Sequence, residues 1–341
     1  MNLEAYRAVR HAAGVINRSS EGRVVVSGAD RATWLQGLLT NDVVALAPGS
    51  GCYAAWLTPQ GRMITDARVL ALRGRMLLDV PGTHAAALAR RLDQLVIMED
   101  VRVENVSEAL ARLAVHGPDA AAVVAKALGD AHGARAVARL AEHQSCVVVR
   151  GPGTEIVVAG SRDAGGQGVD LYVPAAEADA LLGAIQGAGA TPVDAFTWDL
   201  LRLEAGRPVF GVDMDEDTIP LEAGIESRAI SSTKGCYVGQ EVIVRVRDRG
   251  QGRVAKRLVG LMLAEGSATP RPLTPGSRLS VEGREVGRLT SAGWSPALER
   301  PIALGYVPRD LAEPGTRVDA ESVEGAVTLQ VATPPFVPLR T

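Results

Sequence analysis

Seven prolines, Pro270, Pro272, Pro275, Pro296, Pro301, Pro308 and Pro314, cut the last quarter of the chain into short pieces rich in valine and leucine. Proline lacks the N–H that a helix interior or a central strand needs. This stretch is therefore expected to form short strands closed into a small all-β barrel or sandwich. The break in character falls at Gly250-Gln251-Gly252 and divides the chain into 1–250 and 251–341. A chain of 341 residues also exceeds what one ordinary core serves, so two or three domains are expected.

Upstream of the break, strands and helices alternate. Arg23 to Val26 reads as a strand, and Asp30 caps a helix from Arg31 to Leu39 with Trp34, Leu35 and Leu38 on one face. Cys52 to Leu57 and Met63 to Leu72 read as a hairpin around Thr58-Pro59-Gln60-Gly61, followed by a strand from Met76 to Val80 and a helix from His84 to Leu95. A second set follows. Leu110 to Val115, Ser145 to Val149, Glu155 to Val158 and Val169 to Val173 are strands. Pro118 opens a helix that Gly129 stops, and Glu177 to Gln186 is another helix. The glycines from Gly160 to Gly168 fit a hairpin turn, not a phosphate loop. Asp194 to Ala205 is a helix closed by Gly206. Tight hairpins in this order argue for an α+β fold with antiparallel sheets. Residues 1–250 divide into two such units, with the split near 105–115.

The composition excludes several classes. A net charge of −3 argues against a general nucleic-acid binder. No apolar run approaches a membrane span, and Met1 to Ala5 shows no secretory signal. Cys52, Cys146 and Cys236 are few and far apart, as in a reducing cytoplasm. Three thiols cannot supply the four of a usual iron–sulfur cluster. His11, His84, His116, His132 and His143 have no metal-ligand spacing, so no metal site is expected.

The densest chemistry lies in Lys234-Gly235-Cys236-Tyr237-Val238-Gly239-Gln240-Glu241. Lysine beside cysteine favours the reactive thiolate. Gly235 and Gly239 would let backbone approach a ligand closely, Tyr237 could stack on a flat ring, and Gln240 and Glu241 would orient the loop. The alternative is a loop whose residues only cap and pack. Elsewhere, Glu204 at the end of a helix could accept two adjacent N–H donors from a pterin edge, or simply pair with Arg202 or Arg207. Asp66 lies on a strand, either as a working carboxylate or as a solvated neighbour of Arg68. Asn41-Asp42 makes a natural turn that could touch a ligand. Arg245, Arg247, Arg249, Arg253, Lys256 and Arg257 form either a patch for an anionic partner or one solvated strand face.

The octet resembles the K-G-C-Y/F-x-G-Q-E signature of the YgfZ family, folate-binding proteins related to the glycine-cleavage T-protein (aminomethyltransferase). Arg202-Leu203-Glu204-Ala205-Gly206 with Pro220-Leu221-Glu222-Ala223-Gly224 resembles the R-x-E-A-G…T-P-L-E-A-G segment of the T-protein superfamily, and Trp34 to Val43 resembles its F-L-Q-G-x-x-T-N-D-V element. Thr65-Asp66 stands where aminomethyltransferases carry paired aspartates. The resemblance implies three domains around a central opening that holds tetrahydrofolate. It implies that Glu204, with Arg202 and Asn41, binds the cofactor and that Asp66 assists the chemistry. Through the octet it implies an accessory protein for iron–sulfur enzymes, tRNA-modifying ones included, with Cys236 and Lys234 reactive and cluster proteins or their assembly machinery as partners. Neither direct nucleic-acid binding nor a membrane is implied. The alternative is a folate-dependent aminomethyltransferase in which Asp66 and Glu204 work and Cys236 is incidental, and a third reading is a scaffold with a vestigial folate pocket.

Overall fold

The computed structural model describes residues 1–129, 136–150, 153–250, 252–264, 273–322 and 325–337. Pro270, Pro272, Gln251 and His132 lie outside the described residues.

The first sheet runs β3 (Gly51–Leu57), β4 (Met63–Leu72), β5 (Arg75–Val80), β2 (Gly22–Ser27) and β6 (Arg102–Asn105), antiparallel throughout. Helices α2 (Arg31–Leu38) and α3 (Ala85–Asp93) cover one of its faces. The second sheet has the order β11 (Thr191–Pro192), β1 (Gly14–Asn17), β7 (Leu110–His116), β10 (Gly168–Pro174), β9 (Thr154–Ser161) and β8 (Ser145–Arg150). Helices α4 (Ala120–Leu128) and α5 (Ala178–Gly187) pack on it. The glycines between β9 and β10 form their hairpin connection, with Gly168 opposite Ser161. Gly129 ends α4 at φ 71° and takes the left-handed cap that favours glycine.

The elements unread in the sequence include the N-terminal helix α1 (Leu3–His11) and strand β1. Asn2 caps α1 by accepting from the Ala5 N–H. Strand β1 precedes the first sheet in the chain yet pairs in the second, so the two units interleave. Helix α6 (Ala195–Glu204) then leads to short helices α7 (Glu226–Ala229) and α8 (Gln240–Val244). Arg245–Arg249 continues as a wide helical turn, which corrects the expectation of a strand face there. The arginines alternate in sequence, but their backbone follows α8 and not a ladder. The six remaining strands, β12 (Lys256–Leu263), β13 (Arg278–Val281), β14 (Arg284–Ser295), β15 (Arg300–Pro308), β16 (Arg317–Ala320) and β17 (Val327–Ala332), close into a barrel. The α+β architecture with a terminal barrel is as expected from the sequence.

Side-chain alternation decides where the centre lies. On β4, Ala67, Val69 and Ala71 face α2 and α3. The alternate set is Asp66, Arg68, Leu70 and Leu72, which turns toward the second sheet. Leu70 and Leu72 meet Val157, Ala159 and Tyr172 there in a dry cluster. Asp66 and Arg68 instead meet polar groups, and the space opens into a cavity.

Candidate active site

The cavity has a volume of about 580 Å³ and is walled by both sheets, by α6 and by the segment from Arg207 to Val212. Its polar floor follows from register. Tyr53 lies opposite Arg68, and Arg68 lies opposite Asp79, on one face of the first sheet. Tyr172 lies opposite Arg112 on the second. Tyr172 donates to Asp79 at 2.7 Å, Arg112 bridges to Asp79 at 2.8 Å, and Arg68 pairs with the fully buried Asp170. Arg112 also reaches Asp170 and Asp163, each at 3.1 Å. Buried charges cost heavily unless paired, and here every carboxylate has a guanidinium.

Asp66 is the exception. It has no arginine partner, and its Oδ2 accepts a hydrogen bond of 2.6 Å from the Tyr53 hydroxyl. Part of its surface opens to the cavity while protein surrounds the rest. Burial pushes its carboxyl up to about 6, against the opposing pull of the Tyr53 hydrogen bond and the Arg228 charge. Arg228 lies over the Tyr53 ring at 4.7 Å. Asn41 braces both neighbours, donating from its amide to the backbone carbonyls of Tyr53 at 2.9 Å and Arg228 at 3.0 Å. Asn41 thus shapes the site from behind and does not line it. Trp198 and Phe210 add aromatic wall.

The other candidates on α6 are committed within the fold. Arg202 lines the cavity but is bonded to Asp199 at 2.7 Å, to Asp213 at 2.5 Å and to Ser291 of the barrel at 2.8 Å. Glu204 is fully buried and does not line this cavity; its oxygens accept from Tyr6, Arg10 and Ser295. These two side chains join α1, α6 and β14 into the seam between body and barrel.

The octet lies away from the cavity, and its residues are spent on packing. The Lys234 ammonium donates to the carbonyls of Gln36 at 2.7 Å, of Leu39, and of Asn41 at 3.1 Å, closing the C-terminal end of α2. Burial lowers its pKa to about 8. The ammonium is therefore a cap and not an activator of Cys236, whose side chain is exposed. Tyr237 is buried with Tyr53, Leu57, Met63 and Phe210, so it presents no face to a flat ligand. A side chain added at Gly235 would meet only open space, so no close backbone approach depends on that glycine. Gly239 does allow a close approach, at φ 85° with Thr58 O only 2.5 Å from where a Cβ would stand, but the neighbour is the β3–β4 turn. Gln240 and Glu241 begin α8.

Sequence reasoning missed Tyr53, Arg207, Arg228 and His143 as cavity residues. The signal for Tyr53 was present in the hairpin, two places along β3 from the residue opposite Asp66. Arg207 and His143 come from loops and turns and Arg228 from the short helix α7, none of them with a local signature.

Comparison with known proteins bears on what this geometry is for. Residues 2–234 match the GCVT N-terminal domain and residues 256–338 the glycine cleavage T-protein C-terminal barrel domain. An aminomethyltransferase of Bacillus subtilis is 30% identical over 97% of this chain and 89% of its own length. One from Rubrobacter xylanophilus is 33% identical over 89% and 78% respectively. The crystal structure of the glycine cleavage system aminomethyltransferase T from Bartonella henselae superposes with a TM-score of 0.87 at 26% identity, covering 98% of this chain and 89% of that one. These findings overturn the expectation of an iron–sulfur accessory role. Full-length likeness runs to aminomethyltransferases, and the octet that suggested the accessory role supplies a helix cap and core packing. Among the described residues no group of three or more His, Cys, Asp or Glu could hold a metal, and no helix is long and apolar enough to cross a membrane.

Proposed function

This chain belongs to the glycine-cleavage T-protein family, and from that premise we propose that it is a tetrahydrofolate-dependent one-carbon transferase of the aminomethyltransferase type. The observation that carries the reading is Asp66, a carboxyl on the cavity wall with its pKa lifted to about 6 and no cation in contact. Such a group gives and takes protons near neutral pH.

The residues present fit the folate. Tyr53, Trp198 and Phe210 offer aromatic surface, Asp66 offers carboxylate oxygen to ring N–H donors, and Arg207 and Arg228 offer positive charge to its anionic tail. The folate supplies the amine nitrogens that accept the one-carbon unit. Tyr53 fixes the Asp66 rotamer by donating to Oδ2, which leaves Oδ1 to hold or pass a proton in the cavity. Arg228, stacked on Tyr53, biases that pair toward the carboxylate. Arg202 and Glu204 act through the seam that sets the position of α6, and so of Trp198. Placement on the YgfZ branch rests on the likeness of Lys234–Glu241 and is proposed as a relationship of sequence only.

Incubation with tetrahydrofolate and an aminomethyl donor should give one-carbon-loaded folate, and Asp66→Ala should bind tetrahydrofolate without turning over. A protein that binds tetrahydrofolate and turns over equally well without Asp66 would refute the reading.

A further inference from the structure

One sector of the cavity wall, beside the floor of paired charges, gathers His143, Arg207 and Arg228. Arg207 pairs with Glu142 at 3.1 Å. Arg228 has no carboxylate partner among the described residues. Burial and the nearby Arg207 charge both push its pKa down, the mark of two cations sharing one anion. The sector therefore holds one positive charge more than it balances.

His143 completes it. Its backbone sits at φ 69°, the left-handed region that a residue with a side chain rarely enters, and its N–H is tied to Gly160 O at 3.0 Å. That conformation brings the imidazole onto the cavity wall. Burial and the Arg68 charge lower its pKa to about 4, so the ring is neutral. Nδ1 is buried without a partner. An N–H stranded there would cost more than a bare lone pair, so the proton resides on Nε2. Nε2 stands 3.9 Å from the Glu142 carboxylate, too far for a hydrogen bond. It is a spare donor beside a spare positive charge.

We propose that His143, Arg207 and Arg228 form a carboxylate subsite of the cavity, with His143 donating from Nε2 to the bound anion. The inference rests on the transferase reading and deepens it. The carboxylate has two sources, the glutamate tail of the folate or the acid group of a free small amino acid.

The test uses His143→Gly, which removes the ring and suits the backbone angle, and His143→Asn, which tolerates that angle and restores a donor. Calorimetric titration would use 5-formyltetrahydrofolate, a tetrahydropterin lacking the glutamate tail, and glycine. If the subsite holds the tail, His143→Gly weakens the folate about ten-fold or more, leaves the tail-less pterin unchanged, and His143→Asn recovers part of the loss. If it holds the acid of a free amino acid, folate binding is unchanged and the Kd for glycine rises by a similar factor. Unchanged folate binding together with unchanged glycine binding overturns the subsite. Wild-type protein that binds neither folate nor tail-less pterin overturns the transferase reading itself, a result distinct from the other outcomes.

Discussion

Replacing Asp66 with asparagine should stabilise the protein while stopping its chemistry. Burial holds the native carboxyl at about 6, above its ordinary 3.8. At ~1.36 kcal/mol per pKa unit, keeping it charged costs the fold about 3 kcal/mol at neutral pH. The sign follows from proton binding. The native carboxyl holds its proton more tightly than the unfolded one, so stability falls as pH rises from about 4 to about 6, and the whole cost is present above that. Because the side chain is partly open to the cavity, solvent screens some of this, and the expected gain at pH 8 is about 1–3 kcal/mol. The amide still accepts from the Tyr53 hydroxyl, so that bond survives. Urea unfolding of wild type and variant at pH 4.5 and pH 8, followed by circular dichroism, reads the difference. It should be small at pH 4.5, larger by pH 7 and flat above. A variant less stable than wild type at pH 8, or a gain identical at both pH values, would refute the burial argument.

Tyr53→Phe removes the hydroxyl that holds the Asp66 pKa down, so the acid limb of the pH–rate profile should move upward from about pH 6. Lys234→Met should cost about 2–3 kcal/mol through loss of the α2 cap, measured by urea unfolding, and leave the rate at which Cys236 reacts with a thiol reagent unchanged. Cys236→Ser should leave one-carbon transfer at the wild-type rate. Glu204→Gln leaves the Arg10 guanidinium facing a neutral amide inside the seam; denaturant titration should show a loss of about 2–4 kcal/mol.

The hairpin that carries Asp66 was legible because period-two alternation and a Pro-Gln-Gly turn are local signals, and β3 and β4 lie where they were expected. The barrel was legible for the same reason, through its proline punctuation. Strand β1 was not, since four residues joining a sheet formed a hundred positions later leave no trace in their own neighbourhood. The octet misled for a physical reason. Its lysine, aromatic ring and glycine are the groups a reactive loop would use, but they are also those that cap a helix end, fill a core and pass a tight turn. The partners that decide between the two are the α2 carbonyls, 193 to 198 residues earlier in the chain. Arg228 and His143 were hidden likewise, because they share one sector of the cavity wall although they lie far apart in the chain.

The most direct test of the central claim is the pH dependence of one-carbon transfer from an aminomethyl donor to tetrahydrofolate, in wild type and in Asp66→Asn. The account predicts wild-type turnover that falls away below about pH 6, and a variant that binds tetrahydrofolate but stays inactive from pH 5 to pH 9. Equal turnover in the two proteins, or a wild-type profile with no transition near pH 6, would contradict it.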